Sequence, residues 1–122
     1  MILMNYIGVD IVTISRFNDP ALQKQSFLDR CFTPAEQTYC LSKIDPAPHF
    51  AARFAAKEAV IKALSGMDLY LDINKIEITN NKIGRPYITF LTDNKTIISL
   101  KADLSLSHSE TDAIAFVILW AS

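Results

Sequence analysis

The sequence predicts an α+β domain in which an antiparallel sheet packs on one long central helix. Three observations predict it. A β-branched run, "NYIGVDIVTI" (residues 5–14), opens the chain. An uninterrupted block of helix formers, "RFAAKEAVIKAL" (residues 53–64), occupies the middle. Alternating strand-length runs separated by turn residues follow it.

The elements follow in order. Gly8 within the first strand marks a point of close backbone approach. "NDPALQKQSFLDRCF" reads as a helix opened by Asp19, with Pro20 at its first position. "TPAEQTYCL" reads as a second helix, in which Thr33 caps, Pro34 starts the first turn and Glu36 completes a capping box. "DPAP" breaks that element. The long helix is expected from about Pro48 to Ser65, with Gly66 as its stop. "INKIEITN" and "RPYITFL" read as strands joined by a turn at "NKIG", and "DNKTIISLK" as a short helix. "ADLSLSHS" and "DAIAFVILWA" form a closing strand pair.

Composition narrows the classes. A chain of 122 residues, half of them hydrophobic and a fifth charged, is expected to form one domain with its own core rather than a disordered segment. A net charge of −1 argues against a general nucleic-acid binder. Cys31 and Cys40 are too few for a disulfide framework and read as buried or incidental thiols in a reducing, cytoplasmic setting. The opening "MILMNYIGVDIVTI" lacks a basic flank and carries Asp10 within the run, so it does not read as a signal peptide. No stretch is long and apolar enough to read as a membrane-spanning helix.

The central helix poses a question. At about 100° per residue, Phe50, Val60, Ile61 and Leu64 share one arc, and Arg53 and Lys57 fall inside it. Long cationic side chains can lay their stems on apolar surface and leave their heads in water. Alternatively, the two cations meet an anion in a partly buried site.

Three clusters can carry chemistry. Asp10 sits within a strongly apolar strand, which is unfavourable unless the carboxylate is paired, hydrogen-bonded or metal-bound; a strand-end Asp capping a turn is the simpler alternative. Glu58 offers a second hard oxygen ligand. One carboxylate from each of two elements, completed by water and phosphate oxygens, is how Mg²⁺ is usually held, and Arg53, Lys57 and Lys62 supply cations for a polyphosphate. His108 lies in "SLSHSE" at the mouth of the closing strand pair, where it is equally an ordinary surface histidine. There is no P-loop, dinucleotide fingerprint, zinc motif or nucleophile elbow.

Taken together, "IGVDIVTISRF", "RFAAKEAVIKAL", "IEITNNKIGRPYI" and "LSLSHSETDAIAFVI", in this order and spacing, resemble the holo-acyl-carrier-protein synthase family, the small 4′-phosphopantetheinyl transferases. The resemblance spans nearly the whole chain. It implies that family's fold and its Mg²⁺-dependent reaction. The 4′-phosphopantetheine arm of coenzyme A is moved to a serine hydroxyl of an acyl carrier protein in fatty acid biosynthesis, and adenosine 3′,5′-bisphosphate is released. It implies Asp10 and Glu58 as metal ligands, Glu58 or a water it orients as proton acceptor, and Lys62 beside the transferred phosphate. Arg53 and Lys57 would line the coenzyme site, with Gly84, Arg85, Pro86 and His108 at its nucleotide end. It also implies a homotrimer with the cleft between subunits, and a carrier-docking surface formed by Arg16, Phe27 and Arg30. No nucleic-acid or membrane partner is expected. Two positions depart from the family's pattern: Ala52 replaces a glycine before the Arg-Phe pair, and Ser65-Gly66-Met67 replaces a Gly-Thr-Gly-like turn. A catalytically degenerate trimer that binds coenzyme A or a nucleotide without transfer, and a metal-dependent phosphohydrolase, are the competing classes.

Overall fold

The computed structural model describes residues 4–121. Met1–Leu3, part of the run read above against a signal peptide, lie outside the described residues. The chain runs β1 (Asn5–Thr13), α1 (Gln25–Cys31), α2 (Pro34–Leu41), α3 (Pro46–Ser65), β2 (Ile76–Asn80), β3 (Pro86–Phe90), α4 (Lys95–Ile98), β4 (Lys101–His108) and β5 (Asp112–Trp120). Short 3₁₀ turns at Ile14–Asn18, Pro20–Gln23 and Ile73–Lys75 join them.

The strands form two antiparallel sheets rather than one. β1, β5 and β4 make a three-stranded sheet in that spatial order, and β2 and β3 make a separate hairpin. The α+β class is therefore as the sequence predicts, but the hairpin is not hydrogen-bonded into the sheet. Its turn carries Gly84 at φ 86°, where a side chain is strained, while the Asn81 carboxamide accepts from the Ile83 and Arg85 N–H groups.

Ile73–Lys75, read as part of a strand, is a 3₁₀ turn, and β2 begins only at Ile76; two other boundaries differ from the sequence expectation for local reasons. The segment from Asp19 is not one helix. Asp19 does cap, accepting from the Ala21 N–H, but it caps a single 3₁₀ turn and the α-helix begins only at Gln25. α3 starts at Pro46, two residues early, because both prolines fall in the first turn, where backbone N–H groups have no helical partner to lose.

α3 is buried on nearly every side. Ala51, Ala55, Ala56, Ala59, Val60, Ala63 and Leu64 are fully enclosed. Its small residues let the sheet come close: a Cβ on Gly8 would stand 1.8 Å from the Ala59 carbonyl oxygen. One stripe stays open, formed by Phe54, Glu58, Ile61, Lys62 and Ser65. Gly66 ends the helix in right-handed conformation; the left-handed residue of this turn is Asp68, at φ 57°.

The sheet has two contrasting faces. Gly8 and Val12 of β1, with Ala113, Ala115, Val117 and Leu119 of β5, point inward and are buried. The outer face is almost as apolar. Register pairs Ile7 with Ile118, Val9 with Phe116 and Ile11 with Ile114. Ile7, Val9 and Ile11 are 62%, 50% and 63% exposed, and Phe116 is 45% exposed.

Candidate active site

Asp10 projects from edge strand β1 on the same face as Gly8 and Val12, toward the open stripe of α3. Lys62 reaches it from the helix, donating to Asp10 Oδ1 at 3.1 Å and to the Val9 carbonyl at 2.9 Å. Glu58 lies one turn before Lys62, and its carboxyl is pushed above the ordinary range, first by partial burial and then by the neighbouring Asp10 charge. Lys62 and Arg16 act in the opposite direction without cancelling that push. The strand and the helix thus hold two coupled carboxylates with one direct ammonium partner between them. This donor set fits a hard divalent cation, which would relieve the repulsion. Among the described residues no third His, Cys, Asp or Glu joins the pair.

A second feature lies at the other edge of the sheet. A cleft of about 310 Å³ is lined by His49, Arg53, Asn80, Arg85, Ser105, Ser107 and His108, with Tyr39, Gly84 and Pro86 among the rest. Arg53 is 3% exposed. Its guanidinium lies 4.0 Å from the centre of the Tyr39 ring and donates to Asn80 Oδ1 at 3.4 Å, while Asn80 donates to the Tyr39 hydroxyl at 3.2 Å. Arg53 Nε is buried without a partner. A buried guanidinium with a spare N–H at a cleft wall is suited to an anion. Arg85 is exposed and bound to Asp103 at 2.7 Å.

Lys57 departs from the sequence expectation. It does not line the cleft. Its ammonium is fully enclosed and bonded to Glu36, whose carboxylate also accepts from the Thr33 and Ile78 N–H groups at 2.9 and 2.8 Å. Glu36 is thus both the capping-box residue of α2 and the counter-ion of α3. The helix period correctly groups Lys57 with Arg53. It does not show that α2 and β2 close over Lys57 and leave Arg53 at the cleft.

Phe27 is half-buried against the core, Arg30 is exposed on α1, and Arg16 is exposed with its guanidinium 5.7 Å from the Phe54 ring centre. Sequence reasoning missed His49, Tyr39 and Asn80. Only His49 left a signal, four residues before Arg53 on one helix face. Both cysteines are buried and free, and burial raises the Cys40 thiol to about 12, far from the reactive thiolate range.

The chain matches the family model described as "4′-phosphopantetheinyl transferase superfamily" over residues 6–117. It is 45% identical over 119 residues to the holo-[acyl-carrier-protein] synthase of Cytophaga hutchinsonii, covering 92% of this chain and 94% of that protein. Among solved structures it is similar to the Chronobacterium ammoniagenes ACPS–CoA complex, with a TM-score of 0.81, 26% identity and 98% of each chain covered. It is also similar to the Bacillus anthracis holo-(acyl-carrier-protein) synthase in complex with CoA (3′,5′-ADP), with a TM-score of 0.79 and 28% identity, over 99% of this chain and 100% of that one. Two coupled carboxylates, a cationic cleft and this extent of similarity lead to one conclusion: the chain belongs to the holo-acyl-carrier-protein synthase family, within the 4′-phosphopantetheinyl transferase superfamily.

Proposed function

We propose that this protein transfers the 4′-phosphopantetheine arm of coenzyme A to a serine hydroxyl of an apo acyl carrier protein and releases adenosine 3′,5′-bisphosphate, as a cytoplasmic step serving fatty acid biosynthesis. The observation that carries this reading is the coupling of Asp10 and Glu58 beside Lys62 on the open stripe of α3. Asp10 and Glu58 would hold Mg²⁺, which would supply charge neutralisation at the pyrophosphate. Glu58, or a water it orients, accepts the proton of the carrier serine as Oγ attacks the phosphorus that bears the pantetheine arm. The P–O bond to adenosine bisphosphate breaks, and its electron pair leaves with that product. Lys62, already oriented by Asp10 and the Val9 carbonyl, hydrogen-bonds the transferred phosphate. Arg53 and His108, with Gly84, Arg85 and Pro86, hold the nucleotide end. Lys57 has no role in binding here.

The acting unit is a homotrimer. Asp10 lies on one edge strand and the cleft on the other, with β5 between them, so the two sites are about 10 Å apart across the sheet. Around α3, Arg53 and Glu58 point about 140° apart. One chain therefore presents the two halves in different directions. A closed ring brings the cleft of one copy to the carboxylates of the next, and the apolar outer face of the sheet supplies a surface to cover. Arg16, Phe27 and Arg30 form the carrier-docking surface. Arg16 is near enough to act on Glu58 electrostatically, and the other two lie on α1. Neither nucleic acid nor membrane is a partner. Among the described residues no helix is long and apolar enough to cross a membrane.

Incubation with coenzyme A, Mg²⁺ and apo carrier should add one phosphopantetheine arm to the carrier, read by mass spectrometry. Excess chelator should stop it, and light scattering should give a trimer mass. An unmodified carrier in the presence of bound coenzyme A identifies a binding protein, and coenzyme A cleavage without carrier identifies a hydrolase. Either result overturns the reading.

A further inference from the structure

The cleft at β4 contains a second imidazole that the reaction as described does not use. His49 lies in the first turns of α3, half-buried, one turn before Arg53. Its ring meets Tyr39 edge-on at 5.7 Å, so Tyr39 carries both groups: the guanidinium on its face and the imidazole against its ring. Among the described residues, no hydrogen bond fixes either ring nitrogen of His49. His108 closes the cleft from β4, its Nδ1 engaged at 3.1 Å by the Ser109 carbonyl. Among the described residues the lining includes two imidazoles, two guanidiniums and two serine hydroxyls but no carboxylate, although Asp103 pairs with the Arg85 guanidinium.

The surroundings of His49 are lopsided. Partial burial depresses its basicity first, and Arg53, Lys43 and His108 add to that from α3, from the α2–α3 connection and from β4; Asp45 alone opposes them. Lys43 is held nearby with its ammonium 4.5 Å from the centre of the Tyr39 ring. Without an anion, burial and the surrounding cations disfavour the imidazolium of His49. A dianionic phosphate inverts this balance, because its charge offsets the cations that repel the imidazolium. The ribose 3′-phosphate is the one phosphomonoester of coenzyme A, and it belongs to the nucleotide end.

Resting on the transferase reading, we propose that His49 is a further coenzyme-binding residue, one that takes up a proton as the 3′-phosphate enters the cleft and then donates a charge-assisted hydrogen bond to it. The sign follows from linkage. The imidazole binds its proton more tightly in the complex than in the free protein, so binding takes up protons between the two titrations. The His49 contribution to affinity is greatest at low pH and is lost as pH rises through the bound-state value.

The test is calorimetric titration of the whole enzyme with coenzyme A and with 3′-dephospho-coenzyme A. Two buffers of different ionisation enthalpy are used, between pH 6 and 8 and at fixed Mg²⁺. Wild type should take up more protons with coenzyme A than His49→Gln does, and the excess should vanish with the dephospho ligand. The affinity advantage over His49→Gln should shrink as pH rises, by up to about tenfold per pH unit. Proton uptake that does not involve His49 is common to both proteins and is subtracted in this difference. His49→Arg should bind tightly with the proton count of the Gln variant, and the transfer assay should show these changes in KM rather than kcat. If His49→Gln does not fold, His49→Asn carries the same comparison. Equal proton counts and parallel pH profiles in wild type and variant, with coenzyme A still bound, overturn the role of His49 and leave the transferase reading standing. Wild type that binds no coenzyme A at any pH overturns both.

Discussion

α3 seats charge in two places, and the two are built oppositely. On the side covered by α2 and β2, Lys57 and Glu36 are both fully enclosed, and both carboxylate oxygens of Glu36 are used. On the open stripe, Glu58 stands near Asp10, a group of like charge, and Lys62 is 55% exposed at its side chain. A buried pair with every polar atom satisfied holds three elements in register and offers nothing to a ligand. A carboxylate pair left in mutual repulsion, at the surface, is poised for a cation. The same kinds of side chain thus serve architecture in one place and chemistry in the other, and the difference is how completely their partners satisfy them.

The comparison is broken most directly at the open pair. Asp10→Ala and Glu58→Ala should each lower transfer by at least about 10²–10³-fold, the scale of losing one preorganised charge interaction. Melting temperatures should stay near wild type, because neither group is enclosed. A variant that turns over normally removes the carboxylates from the mechanism.

The enclosed pair should respond the other way. Lys57→Met leaves Glu36 buried without its counter-ion, which costs about 3–5 kcal/mol, or roughly 10–20 °C in Tm. Activity per folded molecule should be kept. The double variant Lys57→Met/Glu36→Gln should be less destabilised than the sum of its parts. A Lys57→Met protein with unchanged Tm and a raised KM for coenzyme A would return Lys57 to the cleft.

The smallest effects belong to the exposed arginines. Arg16→Ala and Arg30→Ala should each raise KM for the carrier by about fivefold, or about 1 kcal/mol, with KM for coenzyme A unchanged. Added salt should weaken carrier binding by wild type in the same sense. If carrier KM is indifferent to both variants and to salt, α1 is structural only.

Much of the fold was legible because it rests on local chemistry. The capping box at Thr33 and Glu36, the turn at "NKIG" and the close approach at Gly8 each follow from a few neighbouring residues. The helix from Asp19 was misread for a related reason. Asp19 and Pro20 are a valid start signal, but a start signal does not say how many turns follow, and here the 3₁₀ turn ends after Gln23.

By itself, the sequence determined the α+β class, the long central helix and the residue types able to hold a metal and a phosphate. Only the tertiary structure separated Arg53 from Lys57, placed Asp10 and the cleft on opposite edges of one sheet, and brought His49, Tyr39 and Asn80 together at the cleft. The physical reason is that helical and strand periods relate residues within one element, whereas burial and charge partners depend on which distant element covers each face. Tyr39, Arg53 and Asn80 meet from α2, α3 and β2, and no period within any one of them records the others.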